Sequence, residues 1–403
     1  MSCLVVKLLA FTKPIPTMPT FPASRLANIA PFHVMELMAR ARALEAEGRD
    51  IIHMEVGEPD FPTPEPVIAA ARTSLASGRV FYTPALGLPE LRHAIADFYQ
   101  TRYGISIPAA RIAVTAGASA ALLLTLACLV EVGSEWLLSD PGYPCNRHFI
   151  RSFEGVPIGI PVGPASNFQP TLADFEAHWN ERSAGVLLAS PANPTGTMLG
   201  GEQLAAIAEF VRQHQGQLIV DEIYHGLTYE NDAQTALQFG DDIFVVQSFS
   251  KYFNMTGWRL GWLVVPERFA RDIEKLAQNL YISPSTPAQH AALAAFAPTT
   301  ISILEARRAE FRRRRDFLAP ALADLGFQLT ARPQGAFYLY VDCSALTSNS
   351  ERFARDLIES AGVATTPGLD FGTHAPNQHM RFAYTTTLER LAEAVDRIRR
   401  FLG

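Results

Sequence analysis

A lysine that ends an apolar run, set between two serines and an arginine, is where this sequence most clearly offers chemistry. The segment reads Ser248-Phe-Ser250-Lys251-Tyr-Phe-Asn-Met-Thr-Gly257-Trp258-Arg259-Leu-Gly261. A lysine directly after a buried strand stands at the carboxyl end of a sheet, where α/β proteins place their ligands. Near the fixed charge of Arg259, such an amine can take the lowered pKa that Schiff-base chemistry needs. The Ser248 and Ser250 hydroxyls and the Arg259 guanidinium suit a phosphate. An isolated strand-end lysine is a surface lysine, but other constellations oppose that reading here. Thr115-Ala-Gly117-Ala118-Ser119 follows a strand and opens a long apolar helix. Its small residues, exposed N–H groups and helix dipole also suit a phosphate, where the bland alternative is a tight turn. Leu218-Ile-Val-Asp221-Glu-Ile-Tyr224 is a strand ending in an acid, a position that is often a plain helix cap. Met380-Arg381-Phe382-Ala383 places on a strand the planar fork that matches a carboxylate, or that joins a surface ion pair.

Other motifs fail on a required residue. Gly196-Thr-Met-Leu-Gly-Gly201 has phosphate-loop spacing, but Glu202 stands where a lysine is needed. Gly117-Ala-Ser119-Ala-Ala121 lacks the last glycine of a nucleophile elbow, and Ser248-Phe-Ser-Lys251 has no S-D-N or K-T-G partner. Neither H-E-x-x-H nor G-x-G-x-x-G occurs, so neither a metal nor a dinucleotide is expected.

The pattern Ser-x-Ser-Lys, then Gly-x-Arg-x-Gly six residues on from the lysine, resembles the pyridoxal 5′-phosphate (PLP) attachment segment of class I/II aminotransferases, in the aspartate aminotransferase superfamily. The resemblance runs from about Ile29 to the C-terminus. It implies that Lys251 forms the internal aldimine and shuttles the proton between the substrate Cα and the cofactor's C4′. Asp221 would keep the pyridine nitrogen protonated, making the ring an electron sink. Tyr224 and Asn193, the latter in Ser190-Pro-Ala-Asn193-Pro-Thr-Gly196, would reach the ring O3′. Tyr143, in Asp140-Pro-Gly-Tyr143-Pro, would stack on the pyridine. Gly117, Ala118, Ser119, Ser248, Ser250 and Arg259 would hold the phosphate. Tyr82, in Phe81-Tyr82-Thr-Pro-Ala-Leu-Gly87, would cross to the phosphate of a neighbouring subunit. Gly57, in Val56-Gly57-Glu58-Pro59-Asp60, would lie by its backbone near the substrate carboxylate that Arg381 binds, with Asn193 also against the substrate.

The implied reaction moves an amino group between an L-amino acid and a 2-oxo acid by a ping-pong route, in a homodimer with shared sites. Some bacterial aspartate aminotransferases of this branch carry a lysine where this chain has Ser119. The cation for a second substrate carboxylate is thus missing there, which favours aromatic or small neutral amino acids. The alternatives are another PLP reaction on the same scaffold, such as β-elimination, and a non-catalytic regulatory module.

The surrounding elements must position these residues. Strands over Arg111 to Thr115, Glu135 to Ser139, Gly185 to Ala189, Gln217 to Val220, Ile243 to Gln247 and Arg259 to Val265 alternate with amphipathic helices, notably Gly201 to Gln213. Such alternation predicts an α/β domain with a mainly parallel sheet. Apolar spacing predicts a helix from Phe32 to Glu47, and Ala116 to Val130 reads as a buried helix too short for a bilayer. A long polar helix, Thr299 to Leu325, leads to a strand over Gly335 to Val341, a helix from Ser350 to Ala361, a strand from Met380 to Tyr384 and a last helix. The run Arg312 to Arg315 reads as a solvated face. The expected organisation is fold type I: an extended, proline-rich arm over residues 1–30, a large PLP-binding domain over 57–286, and a small α+β domain from 31–56 and 287–403. With 48% hydrophobic and only 18% charged residues among 403, the chain can bury a large core and is not disordered. A net charge of −6 argues against nucleic-acid or anionic-membrane binding. Cys3, Cys128, Cys145 and Cys343 are scattered, which fits a reducing cytoplasm. Met1 to Ala10 is apolar, but Lys7 interrupts it and no small-residue cleavage site follows, so no signal peptide is expected.

Overall fold

The computed structural model describes residues 22–403. Helix α1 (His33–Ala46) and the short strand β1 (Ile52–His53) lead into helices α2 (Glu65–Ala76) and α3 (Pro89–Tyr103). Pro89 opens α3, where its missing N–H has no partner to lose, and Gly104 ends it at φ +71°. Seven strands then build the main sheet: β2 (Ile112–Thr115), β3 (Glu135–Asp140), β4 (Val156–Pro161), β5 (Ser183–Ala189), β6 (Gln217–Asp221), β7 (Phe244–Ser248) and β8 (Gly261–Val264). Their order is β2-β8-β7-β6-β5-β3-β4, and β8 alone runs opposite to the other six.

The central strands are apolar at successive positions because both faces of this sheet are covered. Val186, Leu188, Leu218, Val220 and Val245 feed one core, while Leu187, Ile219, Phe244 and Val246 feed a second on the opposite face. Helix α4 (Ala118–Leu129) packs Leu122, Leu124 and Leu126 into the second core. Residues Gly201–Gln213 form a helix that sends Leu204, Ile207 and Val211 into the first.

Four further strands complete the structure: β9 (Tyr338–Asp342), β10 (Val363–Ala364), β11 (Thr366–Pro367) and β12 (His379–Ala383). Strands β11-β12-β9 make a small antiparallel sheet, and β10 pairs in parallel with β1. That pairing ties the segment after α1 to the C-terminal third of the chain. Among the described residues no helix is long and apolar enough to cross a membrane.

The structure departs from the sequence reading in several places. The edge strand β4 contains Pro157, Gly159 and Pro161, which argue against a strand but are tolerated at a sheet edge. Gly335 to Phe337 do not join β9. Ala336 sits at φ +59° and donates its N–H to Leu227 O, so these residues fold over the loop after β6. The helix from Ser350 keeps α geometry only to Asp356 and widens into a π turn over Leu357–Ala361. The arginine run is not a solvated face: Arg314 and Arg315 are buried. Successive residues turn by about 100°, so one helix side shows Arg312 and Arg313 to solvent while the next two point inward. Arg314 clasps the Asp60 carboxylate at 2.7 and 3.0 Å, and Arg315 clasps Glu230 at 2.6 and 3.0 Å. Of the expected arm, residues 1–21 lie outside the described residues, and Ser24–Asn28 form a 3₁₀ turn.

Candidate active site

The carboxyl ends of the parallel strands converge on one cavity. Asp221 is the last residue of β6 and Ser248 the last of the adjacent β7. Lys251 follows β7 by one short turn, Asn193 follows β5, Tyr143 follows β3, and Ala118 and Ser119 open α4 after β2. All of these line the cavity, together with Gly57, Tyr224, Ser250, Arg259 and Arg381. Gly117 lies just behind this lining, at φ +83°, and a Cβ there would sit 2.7 Å from Arg259 Nη2. Only Tyr82 stands apart. It is 80% exposed on the outer surface, beside exposed Phe81.

Lys251 donates from Nζ to the Gly57 carbonyl at 2.7 Å. Burial pulls its pKa down to about 8; Arg381 and Arg259 add to the fall, while Glu58 and Asp221 oppose it. Burial acts the other way on Asp221, raising its carboxyl to about 7 against the Ile223 N–H and the Lys251 charge. The only hydrogen bond this carboxylate accepts among the described residues comes from Ile223 N–H at 3.1 Å. A buried carboxylate with so little compensation favours a cationic partner, which a protonated pyridine nitrogen supplies. Ser248, Ser250 and Arg259 line the cavity beside the start of α4, a set of donors that would suit a phosphate. Arg259 itself is held in the left-handed region at φ +49°, a conformation that non-glycine residues adopt at a cost. These residues therefore fit PLP. Among the described residues no group of three or more His, Cys, Asp or Glu is placed to hold a metal ion.

Arg381 approaches from β12 of the small sheet. Its guanidinium lies against the Tyr338 ring at 4.3 Å and the Phe371 ring at 4.9 Å. Nη1 donates to Asn193 Oδ1 at 2.9 Å, and Nη2 donates to the Glu55 carbonyl and to Thr366 Oγ1. Every acceptor is neutral, and the buried Nε has no hydrogen-bond partner among the described residues. A positive charge held flat between two rings, with a donor to spare, is prepared for a planar anion.

Three features of the site were not read from the sequence. Tyr338, on β9, shares a hydrogen bond with Tyr224 at 2.9 Å between hydroxyls, and a Cβ on Gly57 would collide with its Oη. The alternation of β9 was visible, but not which face would meet the cavity. Helix α1 and the residue before it supply Phe32, Val34, Met35 and Met38 to the cavity wall. Their helical spacing reads equally well as ordinary core packing. The third is the Glu55 carbonyl on Arg381, a backbone group that no side-chain pattern reports.

Comparison with known proteins agrees with this geometry. The family model for aminotransferase class I and II matches residues 49–398. The valine–pyruvate aminotransferase of Mycobacterium tuberculosis is 39% identical, covering 92% of this chain and 96% of the relative. The (5-formylfuran-3-yl)methyl phosphate transaminase of Methanocaldococcus jannaschii is 34% identical over 94% of this chain and 99% of its own. The crystal structure of an aminotransferase from Mycobacterium tuberculosis superposes with a TM-score of 0.92 at 38% identity, covering 95% of this chain and 99% of that one. Neither β-elimination nor a regulatory role is favoured by these relatives. With the fold type I architecture and a cavity that fits PLP, the chain belongs to the class I and II aminotransferases: it is a PLP-dependent transaminase acting on an amino acid and a 2-oxo acid.

Proposed function

We propose that Lys251 is both the anchor for the cofactor's aldehyde carbon and the proton carrier of the transamination, in a site shared between two copies of the chain. The observation that carries this reading is the convergence in one cavity of a half-buried amine, a buried carboxylate and a buried guanidinium whose Nε has no partner among the described residues. When bound, PLP supplies a conjugated ring that accepts the electron pair released at the substrate Cα. With a pKa of about 8, the Lys251 amine is available as a base near neutral pH and can take and return that proton. Asp221 holds a negative charge against the ring nitrogen. Tyr224 and Asn193 face the ring oxygen, and Tyr143 its face. Ser248, Ser250, Arg259 and the Gly117–Ser119 turn hold the phosphate. Arg381 takes the substrate's α-carboxylate through its free Nε edge, and Gly57 leaves room beside Tyr338.

In this reading residues 57–286 form the cofactor domain, and 31–56 with 287–403 the smaller one. Tyr82 reaches the phosphate of the second subunit. Its exposure, and that of Val80 and Phe81 just before it in the chain, supports a face made for another copy. A cytoplasmic setting is supported by the free thiols Cys128, Cys145 and Cys343.

One mixing experiment tests both parts. Lys251→Ala and Tyr82→Ala homodimers are assayed at a cofactor concentration where each is inactive, then exchanged. A shared site leaves about a quarter of all sites intact in a random mixture, one per mixed dimer. No recovery in a mixture shown to contain mixed dimers refutes the shared site. A Lys251→Ala homodimer that turns over like wild type refutes the role of Lys251.

A further inference from the structure

We propose that the cavity contains a side-chain subsite for apolar amino acids, built on the first two turns of α1, and that the preferred donor carries one carboxylate and an aliphatic or aromatic side chain. This deepens the reading above and rests on it.

The charges lining the cavity set the first limit. Among the described residues its cations are Lys251, Arg259 and Arg381, and its one carboxylate is Asp221. The first two and the carboxylate face the cofactor, and Arg381 takes the α-carboxylate. Among the described residues no cation lining the cavity remains for a second substrate carboxylate, and Ser119 in the first turn of α4 is neutral.

The wall itself is apolar. Val34, Met35 and Met38 come from α1 and Phe32 from the residue before it, Leu122 from α4, and Ile223 from the turn after β6. Thioether side chains adapt to differently shaped apolar partners, so Met35 and Met38 suit both branched and aromatic substrates. Met35 lines the cavity yet is 51% exposed, so the wall opens to solvent there and leaves length for a larger side chain.

The wall is also fixed in place. Asp370, buried near the C-terminal end of the chain, accepts His33 N–H at 2.8 Å and Val34 N–H at 2.9 Å. It thereby caps α1 with a charge where the helix dipole favours one. Phe32 stands edge-on to Tyr143 at 6.4 Å, so the start of the helix also rests on the cofactor side of the cavity. The Asp370 carboxylate is thus engaged by the backbone of the helix start.

The test uses the holoenzyme. The first half-reaction is followed by loss of the bound cofactor's visible absorption with L-leucine, L-phenylalanine, L-alanine and L-aspartate. Calorimetry compares 4-methylpentanoate with succinate, which carry the same α-type carboxylate but an apolar or a charged tail. Leucine and phenylalanine are expected to exceed alanine and aspartate in kcat/KM by about tenfold or more, the scale of one or two buried methylene groups. Met38→Ala should reduce the leucine-to-alanine ratio by about fivefold, and Met38→Leu should restore it. The proposal is overturned if aspartate matches leucine or succinate binds tighter, which would place a cation, such as one from a second copy, at this wall. It is also overturned if Met38→Ala and Phe32→Ala leave the leucine-to-alanine ratio unchanged. Tight 4-methylpentanoate binding without turnover of any amino acid would support the subsite and overturn the assignment of Lys251.

Discussion

At the strand ends of the large sheet, Lys251 and Asp221 are both pushed toward their neutral forms. At the small sheet, the Arg381 guanidinium lies against two aromatic rings and donates to three neutral acceptors. The first region is electrostatically incomplete without a ligand, and the second is built in advance. A cofactor that stays bound can complete the first region once, so burying unbalanced groups there costs little in the working enzyme. A substrate that must arrive and leave with each turnover needs a receptor whose geometry is already in place. The difference is one between a site finished by its cofactor and a site finished by its protein.

The sharpest way to break that contrast is Asp221→Asn, which should move activity and apo-stability in opposite directions. In the holoenzyme, loss of the charge opposite the ring nitrogen should slow Cα deprotonation by about 10²–10³-fold. In the cofactor-free protein the same change removes a buried, poorly compensated carboxylate. The sign follows from the pKa, which is raised from 3.8 to about 7 on folding. A raised carboxyl contributes stability below the unfolded value and loses it as pH rises through the folded one. The asparagine variant should therefore match wild type near pH 4 and exceed it by about 1–3 kcal/mol above pH 7. Thermal unfolding of both apo-proteins between these limits is the measurement. Parallel curves would mean that Asp221 is already satisfied without a cofactor.

The same contrast explains how much of the site was legible in the sequence. The cofactor region is carried by short contiguous segments at strand ends, so Asp221, Ser248, Lys251 and Arg259 announce themselves by spacing along one chain. The mainly parallel sheet was equally visible, because its central strands are apolar runs between amphipathic helices. The substrate wall is assembled from residues that only folding brings together. Asp370 and His33 are 337 positions apart, and nothing local marks that acid as the cap of α1. Arg314 and Arg315 look like surface charge until the helix turns them inward onto Asp60 and Glu230. The edge strand β4 was hidden by its prolines for the opposite reason, since local propensity spoke against an element that its edge position permits.

A smaller effect tests the preformed region. Arg381→Lys keeps the charge but loses the planar fork and the stacking on Tyr338 and Phe371. Binding of a monocarboxylate inhibitor should weaken by about 1–3 kcal/mol, and cofactor affinity should hold. Both are measured as dissociation constants. Loss of cofactor affinity with unchanged inhibitor binding would assign Arg381 to the other region.

Tyr338 touches both regions with different parts of one side chain, and its truncations separate them with the smallest expected effect. The hydroxyl shares a hydrogen bond with Tyr224 at 2.9 Å, on the cofactor side. The ring carries the Arg381 guanidinium at 4.3 Å, on the substrate side. Tyr338→Phe deletes the first contact and keeps the second. A net hydrogen bond is worth about 0.5–1.5 kcal/mol, so kcat should fall by roughly threefold to tenfold as Tyr224 loses its partner. KM for the amino donor should stay within about twofold, because the stack on Arg381 is intact. Tyr338→Ala removes both contacts and leaves the guanidinium with one ring, so its extra penalty over Tyr338→Phe should fall on KM. Steady-state kinetics with one donor across the two variants reads this split. If Tyr338→Phe raises KM as far as Tyr338→Ala does, the hydroxyl rather than the ring face orders Arg381, and the line between the two regions runs through Tyr224 instead.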